Sequence, residues 1–299
     1  MSDRASLADA AWECWQAMRR KSPLVQCLTN DVAMDITANV LLAAGASPAM
    51  VASSDEGEHF AQRCANAVLI NLGTLTSPAV AAQRLVMQAA LAGGRPVVLD
   101  PVACGATPYR TAACVRALEL KPTVVRGNAG EILALASAAG VWSPEEAEAA
   151  AAAAPTVRGV DSAVGSGDPR VLQAARALSR RFECVVAASG EVDLVVPGRG
   201  PCLRGRNGVE MLTRVTAAGC SMTALIAAFL AADAVTIPEL CPAAAAAAAA
   251  MCVYGVAAEL ALERAERKGP GSLRAGLLDE LYLMTREEFV ARAKIEKIE

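Results

Sequence analysis

The sequence predicts an α/β protein with a mainly parallel central sheet and helices on both faces. Three observations lead there. Short β-branched runs alternate with Ala- and Leu-rich stretches of helical length, the pattern of repeated βαβ units. Polar residues gather where the apolar runs stop, as they do at the ligand-binding edge of open parallel sheets. Hydrophobic residues make up 54% of the chain but aromatics only 3%, so the core has to be packed from Ala, Val, Leu and Ile.

The elements follow in order. An N-terminal helix is expected within residues 1–22. Pro23–Asn30 leads into a helical segment Asp31–Ala44, with Thr29-Asn30 as its expected cap and Gly45 as its stop. Met50, after Ser47-Pro48-Ala49, is placed to line an apolar pocket, although core filling is the commoner use of methionine. Buried strands are expected at Ala67–Asn71, Pro96–Asp100, Thr123–Arg126 and Cys184–Ala188, and helices at 78–92, 110–119, 129–139 and 170–181. An edge hairpin is expected around 191–204, turning at Pro197-Gly198. Glu145–Ala154, after Ser143-Pro144, reads as a surface helix or loop insertion, and Ala243–Ala250, after Pro242, as a closely packed helix. Residues 285–299 are charge-rich and helical in pattern, an extension expected to project beyond the core.

Composition narrows the function. The 299 residues contain no long polar linker, so one domain over 1–299 is expected. A net charge of −3 with both signs interspersed argues against nucleic acid or a membrane surface as partner. Two uncharged runs, 215–232 and 241–258, reach the length of a weak membrane span. They are dominated by Ala, Gly, Ser and Thr, and read as buried helices of a soluble protein. Ten cysteines without a Cys-x-x-Cys pair, behind a polar N-terminus, point to reduced thiols in the cytosol. A zinc site is poorly supported, because His59 is the only histidine.

The most informative stretch is 213–229. Small residues run to Gly219-Cys220 and open into a long apolar helix, whose N-terminal N–H groups suit phosphate or a negatively charged transition state. Cys220 falls where that field is expected to lower a thiol pKa. Asp100, in Leu-Asp-Pro-Val-Ala-Cys-Gly-Ala, ends a strand where a carboxylate can approach Mg²⁺ or phosphate. Glu131 projects from the first turn of the next helix, as a second carboxylate for water-held Mg²⁺ or as a charge on the helix N-terminus. Arg126 follows an apolar strand. It suits a fork on phosphate oxygens, or a buried ion pair with Asp100 or Glu131. Ser189-Gly190-Glu191 offers a hydroxyl and backbone N–H groups to phosphate, or is a plain turn.

These segments resemble the hydroxyethylthiazole kinase family of the ribokinase-like superfamily, over roughly Pro23 to Leu281. The resemblance rests on Leu-Thr-Asn (28–30), Thr-Ala-Asn (37–39), Gly-Ala-Ser-Pro-Ala-Met (45–50), Asn-Leu-Gly-Thr-Leu (71–75) and Leu-Asp-Pro-Val-Ala-Cys-Gly-Ala-Thr (99–107). It continues through Arg-Gly-Asn-Ala-Gly-Glu-Ile (126–132), Gly-Val-Asp-Ser (159–162), Ser-Gly-Glu-Val-Asp (189–193), Val-Thr-Ala-Ala-Gly-Cys (215–220) and Gly-Pro-Gly-Ser (269–272).

The resemblance implies a ribokinase-like three-layer sandwich and transfer of the ATP γ-phosphoryl group to the alcohol of 4-methyl-5-(2-hydroxyethyl)thiazole. It implies that Met50, Asn30, Ala217 and Gly219 line the thiazole pocket, and that Cys220 stands where many relatives place the Asp that accepts the alcohol proton. Arg126 and Ser189 would contact ATP, Asp100 and Glu131 would serve Mg²⁺, and the assembly would be a homotrimer with shared pockets. The chain departs from the family pattern in Ala217 for Gly, Gln26 for His, Ser189 for Thr and Asp35 for Asn. The methyl group of Ala217 either narrows the space beside the alcohol or demands a negative φ. Two rivals follow: a kinase for another heteroaromatic alcohol, and a catalytically silent nucleotide-binding sensor.

Overall fold

A computed structural model describes residues 3–142, 165 and 167–298. Nine strands form one sheet in the order β2-β1-β3-β4-β5-β6-β7-β8-β9. The first six are parallel: β1 (Leu24–Leu28), β2 (Ser47–Ala49), β3 (Ala67–Asn71), β4 (Val97–Asp100), β5 (Val124–Asn128) and β6 (Val185–Ser189). The last three run antiparallel: β7 (Asp193–Val196), β8 (Cys202–Gly205) and β9 (Ile295–Ile298). The four strands expected from sequence are present to within two residues at each end, and the expected hairpin is β7–β8.

Helices cover both faces, completing three layers. On one face lie α1 (Asp3–Lys21), α2 (Met34–Ala44), α8 (Ala218–Ala231), α9 (Pro242–Arg264) and α10 (Pro270–Leu283), whose apolar residues join Val25, Leu69, Val98, Val124 and Ala187 in one cluster. On the other, α4 (Ser77–Ala92), α5 (Pro108–Leu118), α6 (Ala129–Ala138) and α7 (Pro169–Phe182) pack with Val68, Ile70, Leu99, Val125 and Val186. The short α3 (Gly57–Arg63) lies against α4. Neighbouring strand residues divide between the two clusters, because successive side chains on a strand point to opposite faces. This burial on both faces is why the parallel strands read as unbroken apolar runs rather than as alternation.

Alanine makes the second layer dense. α9 is the one described helix long and apolar enough to cross a membrane, and 83% of its most apolar window is buried inside the fold. The tract Glu145–Ala154 lies outside the described residues.

Two expectations are corrected. Residues 285–298 do not project from the core. Thr285 and Glu288 form a capping box for α11 (Arg286–Arg292), Phe289 packs 5.8 Å from the Trp12 ring, and β9 extends the sheet. Thr29-Asn30 does not cap α2, which starts at Met34 with Ala33 as its uncapped N-cap. The Asn30 side chain is engaged elsewhere. Gly45 does end that helix, in the left-handed conformation at φ 103°.

Candidate active site

The parallel strands end on one edge, and the register puts Asn71 beside Asp100 and Asn128 beside Ser189. Asn30 donates from Nδ2 to Asn71 Oδ1 at 2.8 Å, and Asn71 donates from Nδ2 to Asp100 Oδ2 at 3.0 Å. Thr223, one turn into α8, donates from Oγ1 to the same Asp100 oxygen at 2.7 Å. Asn30 Nδ2 also lies 3.5 Å from Cys220 Sγ. One buried polar chain thus links the thiol at the start of α8 to the carboxylate at the end of β4. A Cβ on Gly73 would fall 2.6 Å from Asn30 Nδ2, so the loop after β3 needs glycine there to admit the amide.

Arg126 lies beside this chain. Its Nη1 is 4.0 Å from Asp100 Oδ2, and its Nη2 donates to Ser189 Oγ. The ion pair weighed from sequence is therefore present but loose. Nε is buried and has no hydrogen-bond partner. An unmet donor on a nearly buried guanidinium is costly unless a ligand supplies an acceptor. Phosphate oxygens meet that need, so Arg126 fits a nucleotide. Ser189 sits at the end of β6, where the next turn is fixed by the Gly190 N–H donating to Asp193 Oδ1 at 3.0 Å. Burial pushes the Asp193 carboxyl up to about 7, against the opposing pull of that N–H and of Arg126.

Glu131 has a structural task. Its Oε1 accepts from the Ala103 N–H at 2.7 Å and its Oε2 from the Asn128 N–H at 2.8 Å, while Asn128 caps the Glu131 N–H. The carboxylate staples the loop after β4 to the start of α6, as the helix-terminus alternative anticipated. Spare lone pairs remain for water, since a carboxylate offers about four acceptor sites. Burial first, and then the charge of Asp100, push Glu131 up to about 7. Burial also raises Asp100, opposed by Arg126, Thr223 and Asn71. Among the described residues no group of three or more His, Cys, Asp or Glu side chains could hold a metal. Two carboxylates suit only Mg²⁺ that keeps waters and phosphate oxygens as its other ligands.

At the helix start one expectation is reversed and one open alternative is decided. The Cys220 thiol is pushed up to about 11 rather than down, by burial and then by the Asp100 charge, which together outweigh the Asn71 and Asn30 amides and the Arg126 charge. Ala217 does not adopt a negative φ; it holds φ 58° and ψ 16°, left-handed, as the N-cap of α8. The turn keeps the geometry glycine would give it, with a methyl group added. Gly219 follows within the first turn, close against Arg126.

Met50 is half-buried, with part of its side chain packed on the α8-side cluster. Asp35 pairs on the surface with Arg274, and Gln26 is buried and donates to the Val51 and Gly57 carbonyls at 2.9 and 3.1 Å. Sequence reasoning gave no role to Asn71 or Thr223. Thr223 was findable, because it stands three residues after Cys220 and so shares its helix face. Arg110, which donates to the carbonyls of Leu72 and Val102 and joins two site loops, carried no such signal.

The geometry can be set beside known proteins. The family model described as "Hydroxyethylthiazole kinase family" matches residues 15–287. The chain belongs to the hydroxyethylthiazole kinase family. It is 46% identical over 285 residues to the hydroxyethylthiazole kinase of Zea mays, covering 95% of this chain and 92% of the relative. It is 38% identical over 297 residues to that of Arabidopsis thaliana, covering 99% and 98%. The solved hydroxyethylthiazole kinase of Pyrococcus horikoshii superposes with a TM-score of 0.79 at 36% identity, covering 97% of this chain and 99% of that one. A ribokinase-like superfamily protein of Enterococcus faecalis aligns with a TM-score of 0.53 at 10% identity, over 86% of this chain and 85% of its own, which shows the shared fold alone.

Proposed function

We propose that this family member, acting as one domain, transfers the γ-phosphoryl group of ATP to the hydroxyl of 4-methyl-5-(2-hydroxyethyl)thiazole. The observation that carries the reading is the convergence of Gly219, Arg126 and Asp100 at the start of α8, with Arg126 Nε buried and unpartnered. Arg126 and Ser189 hold phosphate oxygens, and the N–H groups at the start of α8 face the charge that spreads over the transferring group. Asp100, with Glu131 behind it, would hold Mg²⁺ through water. When bound, the ion neutralises charge on the β- and γ-phosphates.

We assign the thiazole pocket to Asn30, Met50, Ala217 and Gly219, with Cys220 at the alcohol. A thiol raised to about 11 stays protonated at neutral pH, so Cys220 orients the hydroxyl rather than removing its proton. Positioning and charge stabilisation account for most of phosphoryl transfer, and a strong base is not required. We further propose a homotrimer sharing these pockets, acting in the cytosol; the ten free cysteines suit a reducing compartment.

Release of ADP on mixing enzyme, MgATP and the thiazole alcohol tests the reading, with a panel of other heteroaromatic alcohols alongside. Rapid turnover of another alcohol and none of the thiazole would overturn the substrate assignment. ATP binding without turnover of any alcohol would leave the sensor reading in its place.

A further inference from the structure

Three contacts on Asp100 fall on one oxygen. Thr223 Oγ1 at 2.7 Å, Asn71 Nδ2 at 3.0 Å and Arg126 Nη1 at 4.0 Å all address Oδ2. Thr223 and Asn71 are themselves fully buried, so neither hydroxyl nor amide is there to meet solvent. Thr223 also lies 3.0 Å from the Gly219 carbonyl, in the same turn that carries Cys220. Its Oγ1 therefore sits between the first turn of α8 and the end of β4, and ties Thr223 to a carboxylate 123 residues away in sequence. Asn71 makes the matching join from β3, and its own orientation is set by Asn30 and by the Gly73 N–H, which donates to Oδ1 at 3.1 Å.

We propose that Thr223 is a positioning residue for the phosphoryl-transfer site: with Asn71 it pins Oδ2 of Asp100, fixing the rotation of the carboxylate and leaving Oδ1 for the hydrated cation that accompanies the nucleotide. This rests on the kinase reading above for the role of Asp100. Thr223 does not touch substrate. It acts through Asp100, and the geometry gives the reason threonine suits the position. Threonine keeps two rotamers in a helix, and the one seen here, with Oγ1 beside the Gly219 carbonyl one turn back, aims the hydroxyl at Asp100 before ligand arrives. Serine keeps the donor with a looser aim. Valine keeps the shape and loses the donor, leaving the buried carboxylate one hydrogen bond short.

The test is calorimetric titration of wild type, Thr223→Val and Thr223→Ser with ATP, once with excess Mg²⁺ and once with chelator. Thr223→Val is expected to lose about tenfold in Mg²⁺-dependent ATP affinity, the scale of one hydrogen bond to a charged group, with metal-free ATP affinity unchanged. Thr223→Ser is expected to recover most of that loss. In turnover, Thr223→Val should lower kcat while leaving KM for the alcohol near its wild-type value. Wild-type Mg²⁺ dependence in Thr223→Val overturns the proposal. So does an equal loss with and without Mg²⁺, or a Ser variant no better than Val, since a merely structural role predicts those results. Should Thr223→Val lack a cooperative thermal transition, Thr223→Ala takes the same titration, because it vacates space instead of placing a methyl group against the carboxylate. The readout is independent of the acceptor. A wild type that binds MgATP but phosphorylates no thiazole alcohol sinks the substrate assignment and leaves the Thr223 test standing.

Discussion

Gly219 lies so close to Arg126 that a Cβ on the glycine would come 2.6 Å from Nη1 and 3.1 Å from Nη2. Nothing shorter than glycine exists, so the guanidinium occupies the volume a side chain would otherwise fill. The obstacle is the far end of a flexible side chain, not backbone. Gly219→Ala should therefore fold, because Arg126 can swing aside, and should fail in function, because Arg126 no longer reaches Ser189 or a phosphate. We expect a melting temperature within a few degrees of wild type and ATP affinity lower by about tenfold or more, the scale of lost charge-assisted hydrogen bonds. Paired thermal melts and ATP titrations check this; unchanged ATP affinity would break the link between the two residues.

Ala217 holds φ 58°, where a side chain costs roughly 1 to 2 kcal/mol relative to the right-handed region. Ala217→Gly relieves that strain but adds freedom to the unfolded chain, which costs about 0.4 to 1 kcal/mol. The difference favours glycine slightly, so stability should stay level or rise by up to about 1 kcal/mol. Ala224→Gly, in the interior of the same helix, should instead destabilise by about 1 kcal/mol. Chemical denaturation of the two variants separates them. Equal losses would mean that packing of the Ala217 methyl, which touches the α8-side cluster, outweighs its backbone strain.

How much of this was legible beforehand depended on the range of the interaction. Strands such as Ala67–Asn71 were readable because burial on both faces leaves a continuous apolar run closed by a polar residue. Asp100, Arg126 and Ser189 were readable because each closes such a run. Thr223 carried one local signal, its place three residues after Cys220, but a threonine in an Ala-rich helix otherwise looks like core until the fold brings Asp100, 123 residues away in sequence, to 2.7 Å from it. The fate of Asn30 was misjudged for the same reason. Local chemistry favours an Asn as a helix cap, and a partner 41 residues distant claimed the side chain instead. The tail 285–299 was misjudged because its charges hide two anchors, Phe289 and Ile295, both in the core.

The Asp100 charge is the second cause, after burial, of the raised Cys220 thiol. Asp100→Asn keeps the shape and removes the charge, so the thiol pKa should fall and the thiolate fraction at pH 8 should rise. Alkylation of the Cys220 peptide by iodoacetamide, followed by mass spectrometry, should be several-fold faster in the variant. Buried Cys27, raised to about 12 by burial, serves as an internal control whose rate should not move. An unchanged Cys220 rate would show that burial alone sets the thiol.

Asp193 supplies a pH signature of stability. Its carboxyl titrates near 7 in the folded chain because it is buried, against roughly 3.9 for an unfolded aspartate. Between those values the folded state holds a proton that the unfolded state has released, so this group's contribution to stability is full below about pH 4 and is lost as pH rises through about 7. Asp193→Asn keeps an oxygen for the Gly190 N–H and removes the titration. Glu131, also raised to about 7, adds a loss of the same sign in both proteins and cancels in the comparison. The variant's melting temperature should therefore gain on wild type from pH 5 to about pH 7 and level off towards pH 8. Calorimetric or fluorescence melts across that range decide it: parallel curves would mean that Asp193 is ionised throughout and that the Gly190 N–H and Arg126 outweigh its burial.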